Sequence, residues 1–485
     1  MRAKRQIRSI GKLSPVIIAI VSFFYSDIGL AVPHFARQYK TSCMTCHAGF
    51  PKLNRVGRDF KKLGYVFPEG FVDGLVKKVE PIALGAPATK AVWPEVTWPG
   101  EIAGLPPLSI RMESRYTAGT DAGDGDHLIF PNNIFLLTGG TLGEKFSYFG
   151  HFHFLSEGES GLGTARAWLR ANSLFEDTLG IGALNLKVGL VEPAAVPFSQ
   201  FTSLGITPYA FNTFSPNLND AHNARLSGGG AGHHGSGPAL GTTKAALEVT
   251  GLLLNRRLSY GMGLTDRDIR SAQDELDGGH DNGNMDMDMD EHENDSDFKK
   301  DVYGYVDYYF KKQNIKQGEL SLWDQTSFKL GIFGKSGGGT ETAGQAMEHA
   351  EPGDEDHGDA HEDQHEAFSG VINEYAVLGG SYVLTVKNVD LFGGVMNFFA
   401  EDMESVNVDE LLLFTEIQYR MYPWLIPYAR WESLSTEIEG QGDVERVVPG
   451  IAVYARANVR FIVEGELYPD DSEVNRLLVS ADFAF

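Results

Sequence analysis

Both cysteines of the chain fall in one five-residue stretch, Cys43-Met44-Thr45-Cys46-His47. Two thiols separated by two residues, with an imidazole directly after the second, have the spacing that attaches a c-type haem. The thiols reach the two vinyl groups and the imidazole lies under the iron as an axial ligand. The same residue types also serve as a disulfide or a thioredoxin-like dithiol, but a dithiol of that kind needs a βαβ pattern around it, which the flanking sequence lacks. The spacing therefore predicts one covalently bound haem c on Cys43 and Cys46, with His47 as an iron ligand.

The elements around the motif are short. Leu53, Val56, Phe60 and Leu63 recur at spacings of three and four, which predicts a helix with one apolar side that ends at Gly64. Lys52, Arg55, Arg58, Lys61 and Lys62 cluster on the other side, where they could meet haem propionates, an acidic partner or plain solvent. A module confined to residues 32–70 can bury little of a porphyrin alone, because domains this small need help from a metal, a disulfide or a neighbour. The remainder of the chain must supply walls. Ahead of the module, Arg2, Lys4, Arg5, Arg8 and Lys12 precede an apolar run from Pro15 to Tyr25 and small residues at Gly29-Leu30-Ala31. That order predicts a cleaved signal peptide over residues 1–31, too short in its apolar run for a membrane anchor.

Behind a linker at 71–104 the pattern changes to a period of two. Leu477, Val479, Ala481 and Phe483 alternate with Arg476, Leu478, Ser480, Asp482 and Ala484. Val459, Phe461 and Val463 likewise oppose Arg460, Glu464 and Glu466, and Leu411, Leu413, Ile417 and Tyr419 oppose Glu416, Gln418 and Arg420. One face suits lipid and the other water, the signature of a transmembrane barrel with a polar lumen. Sixteen such segments begin near residues 106, 132, 145, 163, 183, 243, 258, 301, 327, 374, 388, 409, 424, 446, 458 and 475. The predicted fold is mainly β: a sixteen-stranded, porin-like outer-membrane barrel over 105–485, preceded by a small helical haem domain. Tight links at Lys387-Asn388, Pro423 and Ala457-Asn458 fall at one rim, and the long connections 191–242, 269–300 and 337–373 at the other, as short periplasmic turns and long outer loops alternate. The stretch from Gln313 to Gln325 is long for a periplasmic turn and leaves room for a miscounted hairpin.

A formal charge of -24 over 485 residues excludes nucleic acid as a partner, since phosphate binding needs a basic surface. Cations are the natural partners. The segments 274–297 and 348–366 are low-complexity carboxylate runs of the kind that is ordinarily solvated. In the second, His349, His357, His361 and His365 add imidazoles, the last three spaced four apart, and imidazole with carboxylate suits borderline divalent metals. Met285, Met287 and Met289 in the first add soft thioethers that favour Cu(I). The 191–242 connection is glycine-rich with His222, His233 and His234; it folds into the lumen or stays a surface loop.

The run AVPHFARQYKTSCMTCHAGFPKLNRVGRDFKKLGY, followed by a sixteen-stranded barrel, resembles the fused monohaem cytochrome-porins in the outer membranes of iron-oxidising bacteria. The resemblance is carried by Pro33, Phe35-Ala36-Arg37-Gln38, the Cys43–His47 motif, Phe50-Pro51, Leu53, Gly57-Arg58, Phe60-Lys61 and Gly64-Tyr65. It implies an electron-transfer protein that oxidises extracellular Fe(II), or another metal cation, and passes electrons through one haem c to a periplasmic cytochrome or copper protein. Outward electron flow is the same device run in reverse, and a metal-ion or solute porin with a haem plug is the alternative of another class. The chain departs from that family at His34, where a small or polar residue is expected, and in its acidic outer loops. For the second axial position, Met112 faces lipid by alternation with Leu108 and Ile110, which leaves His34 and the inward pair His151 and His153 as candidates. If the acidic loops gather cations, deleting both should raise the Fe(II) concentration needed for half-maximal haem reduction while haem content stays the same; unchanged kinetics would refute that role.

Overall fold

The computed structural model describes residues 34–67, 82–83, 101–102, 107–119, 127–143, 145–156, 159–214, 240–266, 300–312, 326–340, 372–402, 407–436 and 443–484. Sixteen long strands form the wall: β1 (Leu108–Gly119), β2 (His127–Leu142), β3 (Phe146–Ser156), β4 (Glu159–Ala171), β5 (Asn185–Val191), β6 (Lys244–Leu253), β7 (Leu258–Asp266) and β8 (Lys300–Lys312). They continue as β9 (Thr326–Thr340), β10 (Ile372–Val386), β11 (Val389–Asp402), β12 (Asn407–Tyr419), β13 (Leu425–Thr436), β14 (Val444–Arg456), β15 (Val459–Glu466) and β16 (Arg476–Ala484). Each pairs antiparallel with the next, and β16 returns to β1 through Arg476↔Gly119 to Ala484↔Arg111, closing the ring. Closure removes both sheet edges, the requirement for backbone immersed in lipid. The strand starts read from the sequence differ from these by five residues at most, at His127. β8 pairs directly with β9, so the wall holds no extra hairpin at 313–325. Part of the linker joins the barrel: Ile82 and Ala83 pair with Ile102 and Glu101, and Ile102 reaches Leu142.

The alternation sorts as expected. Leu128, Ile332 and Leu378 are 63–70% exposed on the outer surface, whereas Arg446 and Glu432 on inward positions are wholly buried. A closed barrel with an apolar coat and charges inside is a bacterial outer-membrane protein. Val386↔Val389 closes a two-residue turn at Lys387-Asn388, and Arg456↔Val459 another at Ala457-Asn458, at the same rim as Ala484. The connections after β5, β7 and β9 leave from the opposite rim. The signal peptide, Pro33, His222, His233, His234, the methionine run and His349, His357, His361 and His365 lie outside the described residues.

Two segments fill the lumen. The first is the N-terminal module: helix α1 (His34–Gln38), a small hairpin pairing His47–Gly49 with Lys52–Leu53, and helix α2 (Arg55–Lys62). Its contacts ring the short-turn end of the barrel. Arg37 donates to the Leu108 carbonyl, the Tyr454 hydroxyl donates to the Phe50 carbonyl at 2.9 Å, and Lys52 meets Asp390 at 3.0 Å and Gln418. On the far side Lys62 meets Ser259 at 2.7 Å and Asp307 at 3.7 Å. Of the basic residues around α2, for which solvent was one expectation, Lys52 and Lys62 are thus turned on acids of the lumen wall.

The second is the stretch 192–214, which takes the inward course of the two open to it. Lumen side chains hold its backbone: Glu464 accepts from the Ile206 and Thr207 amides at 3.0 and 2.7 Å, and Glu432 from Ala210 at 2.8 Å. Arg430 donates to the Thr207 carbonyl and Arg460 to that of Leu204. Tyr209, Phe211 and Phe214 then pack with Phe333, Phe392, Phe398 and Phe414 of the wall. The charges are themselves paired: Arg446 lies 2.6 Å from Glu432 and 2.9 Å from Glu466, and Asp482 joins Arg111 and Arg460. Arg446→Met would strand two buried carboxylates and should cost about 3–5 kcal/mol, the usual penalty for breaking a buried pair from one side. The readout is a lower temperature for loss of the compact barrel band on a gel, partly restored in Arg446→Met with Glu432→Gln.

Candidate functional site

The Cys43–His47 motif is shaped by one asparagine. Cys43–Thr45 form a single 3-10 turn whose cap, Ser42, accepts from the Met44 amide. Asn54 then ties this turn to α2: its side-chain nitrogen donates to the Met44 and Thr45 carbonyls at 3.1 and 3.0 Å, and its backbone amide donates to the Cys46 carbonyl at 2.9 Å. Its side-chain oxygen accepts from the Gly57 amide at 3.0 Å, capping α2. Gly57 is required where it stands, because a Cβ there would lie 2.1 Å from the Cys46 carbonyl oxygen. Past α2, Gly64 takes φ +72° against Asn172 of the wall, a left-handed conformation that ends the helix.

The apolar side of α2 is buried as its spacing predicts. Val56 and Phe60 pack with Tyr65 and Phe67, and Phe35, Tyr39 and Cys46 lie against them. Tyr65 stacks on Trp168 of β4 at 5.8 Å, and Phe149 of β3 joins the same cluster. The module is therefore enclosed by barrel aromatics. Burial pushes the Cys46 thiol up to about 12, with nearby Cys43 adding to the rise, and raises Cys43 as well. Both are free thiols.

Whether these residues suit a haem can be read from the ring nitrogens. His47 Nδ1 lies 3.1 Å from the Pro51 carbonyl, and the ring also meets the Lys52 backbone, so main-chain groups orient this imidazole as they orient a ligating histidine. His34 is fixed against β1 through Ser109, whose hydroxyl oxygen lies 2.8 Å from the His34 amide and 2.9 Å from Nδ1. Its Nε2 is buried without a hydrogen-bond partner. Burial lowers His47 to about 4 and His34 to about 3, with Arg37 adding to the second, so both rings are neutral at physiological pH, the form that binds metal. Two thiols and two neutral imidazoles, that of His34 with Nε2 unbonded among the described residues, fit a haem c.

His151 and His153 do turn inward, buried and stacked 5.1 Å apart beside Phe135. Arg166 approaches His151 Nδ1 at 3.3 Å, and since a guanidinium only donates, Nδ1 accepts and the proton sits on Nε2. Met112 is directed away from the lumen, because its neighbours Arg111 and Glu113 face inward at the Asp482 cluster. Sequence reasoning missed Asn54, Ser109 and Arg166. The capping pattern of an asparagine three residues before Gly57 was a local signal for the first, while the other two act on residues 75 and 15 positions away and leave none.

A cavity of about 280 Å³ separates the module from the inward loop, lined by Lys52, Arg58 and Lys61 on one side and by 192–199 on the other. No protein-family model and no curated protein matches the chain. Similar solved structures include a loop-deleted OmpT, an outer membrane protein of Vibrio cholerae, at 9% identity over 78% of this chain and 98% of that one, with a TM-score of 0.45. OmpF of Salmonella typhi with daunomycin has 11% identity over 78% and 97%, with a TM-score of 0.45. An anion-selective porin from Comamonas acidovorans has 10% identity over 78% and 98%, with a TM-score of 0.46. The raised thiols make one chemical expectation. In protein prepared without haem, alkylation of Cys46 should be slow at about pH 8, where an ordinary cysteine is already partly thiolate, and should climb with pH well beyond that; fast labelling at the lower pH would show an open, ionised motif.

Proposed function

We propose that this outer-membrane barrel is an electron-transfer cytochrome-porin, in which a single haem c on Cys43 and Cys46 takes electrons from extracellular Fe(II) and yields them to a periplasmic carrier. The observation that supports the reading is the Cys43–His47 motif itself, set inside a closed barrel with the His47 ring oriented by the Pro51 carbonyl. When bound, the haem would supply one-electron iron chemistry. The chain's own part is to orient and enclose. Pro51 fixes the His47 ring, Asn54 holds the turn that bears both thiols, and Ser109 holds the His34 ring. His34, with its buried Nε2, is our first candidate for the second iron ligand, with His151 and His153 beside it. No proton has to move for such a reaction, so no acid and base pair is needed. The Fe(II) substrate and inward direction come from the family resemblance, and the acidic outer segments with His349, His357, His361 and His365 remain a candidate gathering surface for cations.

A second reading, a solute or metal-ion porin with the module as plug, is favoured by the charged cavity that persists inside the lumen. The two separate cleanly. The electron-transfer reading expects anaerobic Fe(II) to reduce the haem bands of oxidised, purified protein, and wild-type protein in a planar bilayer to conduct little. Full conductance with haem in place, and no reduction by Fe(II), would establish the porin instead. Within the first reading, His34→Ala should convert a low-spin haem spectrum to high-spin, while His151→Ala and His153→Ala leave it low-spin; an unchanged His34→Ala spectrum removes His34 as ligand.

A further inference from the structure

The cavity between α2 and the inward loop is unusual for a chain with an excess of carboxylates: seven lysine and arginine side chains line it against four acids, Glu192, Glu248, Asp307 and Asp390. Each acid is already engaged. Asp390 sits between Lys52 at 3.0 Å and Arg420 at 2.9 Å, and Asp307 between Lys329 at 2.9 Å and Lys62 at 3.7 Å. Glu248 holds Lys187, the Tyr303 hydroxyl and the Ala194 amide. Glu192 accepts from the Ser199 hydroxyl at 2.6 Å and lies 3.9 Å from Arg166.

That leaves three cations of the lining with no ion pair among the described residues. Arg58 donates to the Leu53 carbonyl and faces the Tyr309 side chain, with Asp390 and Asp59 acting on it from farther off, and Arg170 donates to the carbonyls of Lys61 and Lys62. Lys61 has, among the described residues, neither an ion pair nor a side-chain hydrogen bond; Glu192 and Glu248 act on it only from beyond contact. Desolvation, with Arg166 and Lys187 nearby, lowers its ammonium to about 8. A half-buried cation in a field of other cations is costly unless something negative joins it.

We infer that this cavity is a binding site for a small oxyanion, held by Lys61 with Arg58 and Arg170 around it. A carboxylate or phosphate group presents several acceptor oxygens, which suits converging ammonium and guanidinium donors and would complete the charge balance of the lining. The oxyanion has two possible sources: a free anion that enters the lumen, or a carboxylate carried on the haem attached at Cys43 and Cys46. The site itself does not rest on the haem reading, since its charges are present either way.

The test is calorimetric titration of inorganic phosphate into the full-length protein in detergent, with the absorption spectrum recorded separately to report haem. Saturable binding is expected, weakened roughly tenfold or more in Lys61→Met, retained in Lys61→Arg, and unaffected in Lys145→Met, whose partner Glu176 lies in the connection after β4, at the rim of the tight turns. Binding to both haem-loaded protein and haem-free Cys43→Ala/Cys46→Ala protein identifies a free anion as the occupant. Binding to the haem-free protein alone identifies a haem carboxylate. Absence of saturable binding in both preparations, or equal affinity in Lys61→Met and wild type, overturns the inference, and neither result bears on whether haem is attached.

Discussion

The constraint behind this structure is closure of the β-sheet in lipid. A ring of strands with no free edge satisfies its own backbone, and the period of two then sends one side chain in each pair outward to hydrocarbon and the other inward. Because the outer positions are taken by Leu, Ile, Val and Phe, the polar residues of sixteen strands converge on one narrow lumen. There they cannot all be hydrated, and Arg446, Glu432, Glu464 and Asp482 are almost fully buried. Everything placed in the lumen answers to that charge: the inward loop offers amides and carbonyls, and the N-terminal module offers lysines.

The same constraint explains how a module so small keeps its shape. Its own apolar core is the cluster around Val56 and Phe60, and that core is completed by Phe149 and Trp168 from the wall. The turn that bears the thiols depends on Asn54, and the ring of His34 depends on Ser109 in β1. Position of the motif is therefore a property of the barrel as much as of the module. A domain of this length in water would have neither the aromatic cover nor the anchor.

Much of this was legible in the residues. Strand number and starts, inward and outward faces, the rim of the long loops and the apolar side of α2 all follow from periodicity, which is local and repeats over each element. The fate of Lys52, Lys61 and Lys62 was not, because a basic helical face looks the same whether it meets water or Asp390 and Asp307 hundreds of residues away. Nor did periodicity settle the course of 192–214: its polar backbone becomes buriable only where Glu464 and Arg460 stand ready to bond it. Among the candidate imidazoles, sequence placed His151 and His153 correctly in the lumen but could not show that His151 meets Arg166 there.

The two lumen fillers meet the wall in different ways. Asp390 and Asp307, which receive Lys52 and Lys62 from the module, each have a cation of the wall as well, Arg420 and Lys329. Removing the module would leave those acids paired, although Arg170 and Tyr454 of the wall would lose the module carbonyls they bond. Glu464 is different, since its oxygens are taken by the amides of Ile206 and Thr207 together with the Tyr428 hydroxyl, and Arg430 and Arg460 likewise bond loop carbonyls. Withdrawing the loop would leave Glu464 with Tyr428, Arg460 with Asp482 and Arg430 with Glu432, but would remove the loop amides and carbonyls that complete their hydrogen bonding. Both fillers thus complete polar groups of the wall: the loop serves Glu464, Arg430 and Arg460, and the module serves Arg170 and Tyr454 while drawing its own lysines onto Asp390 and Asp307.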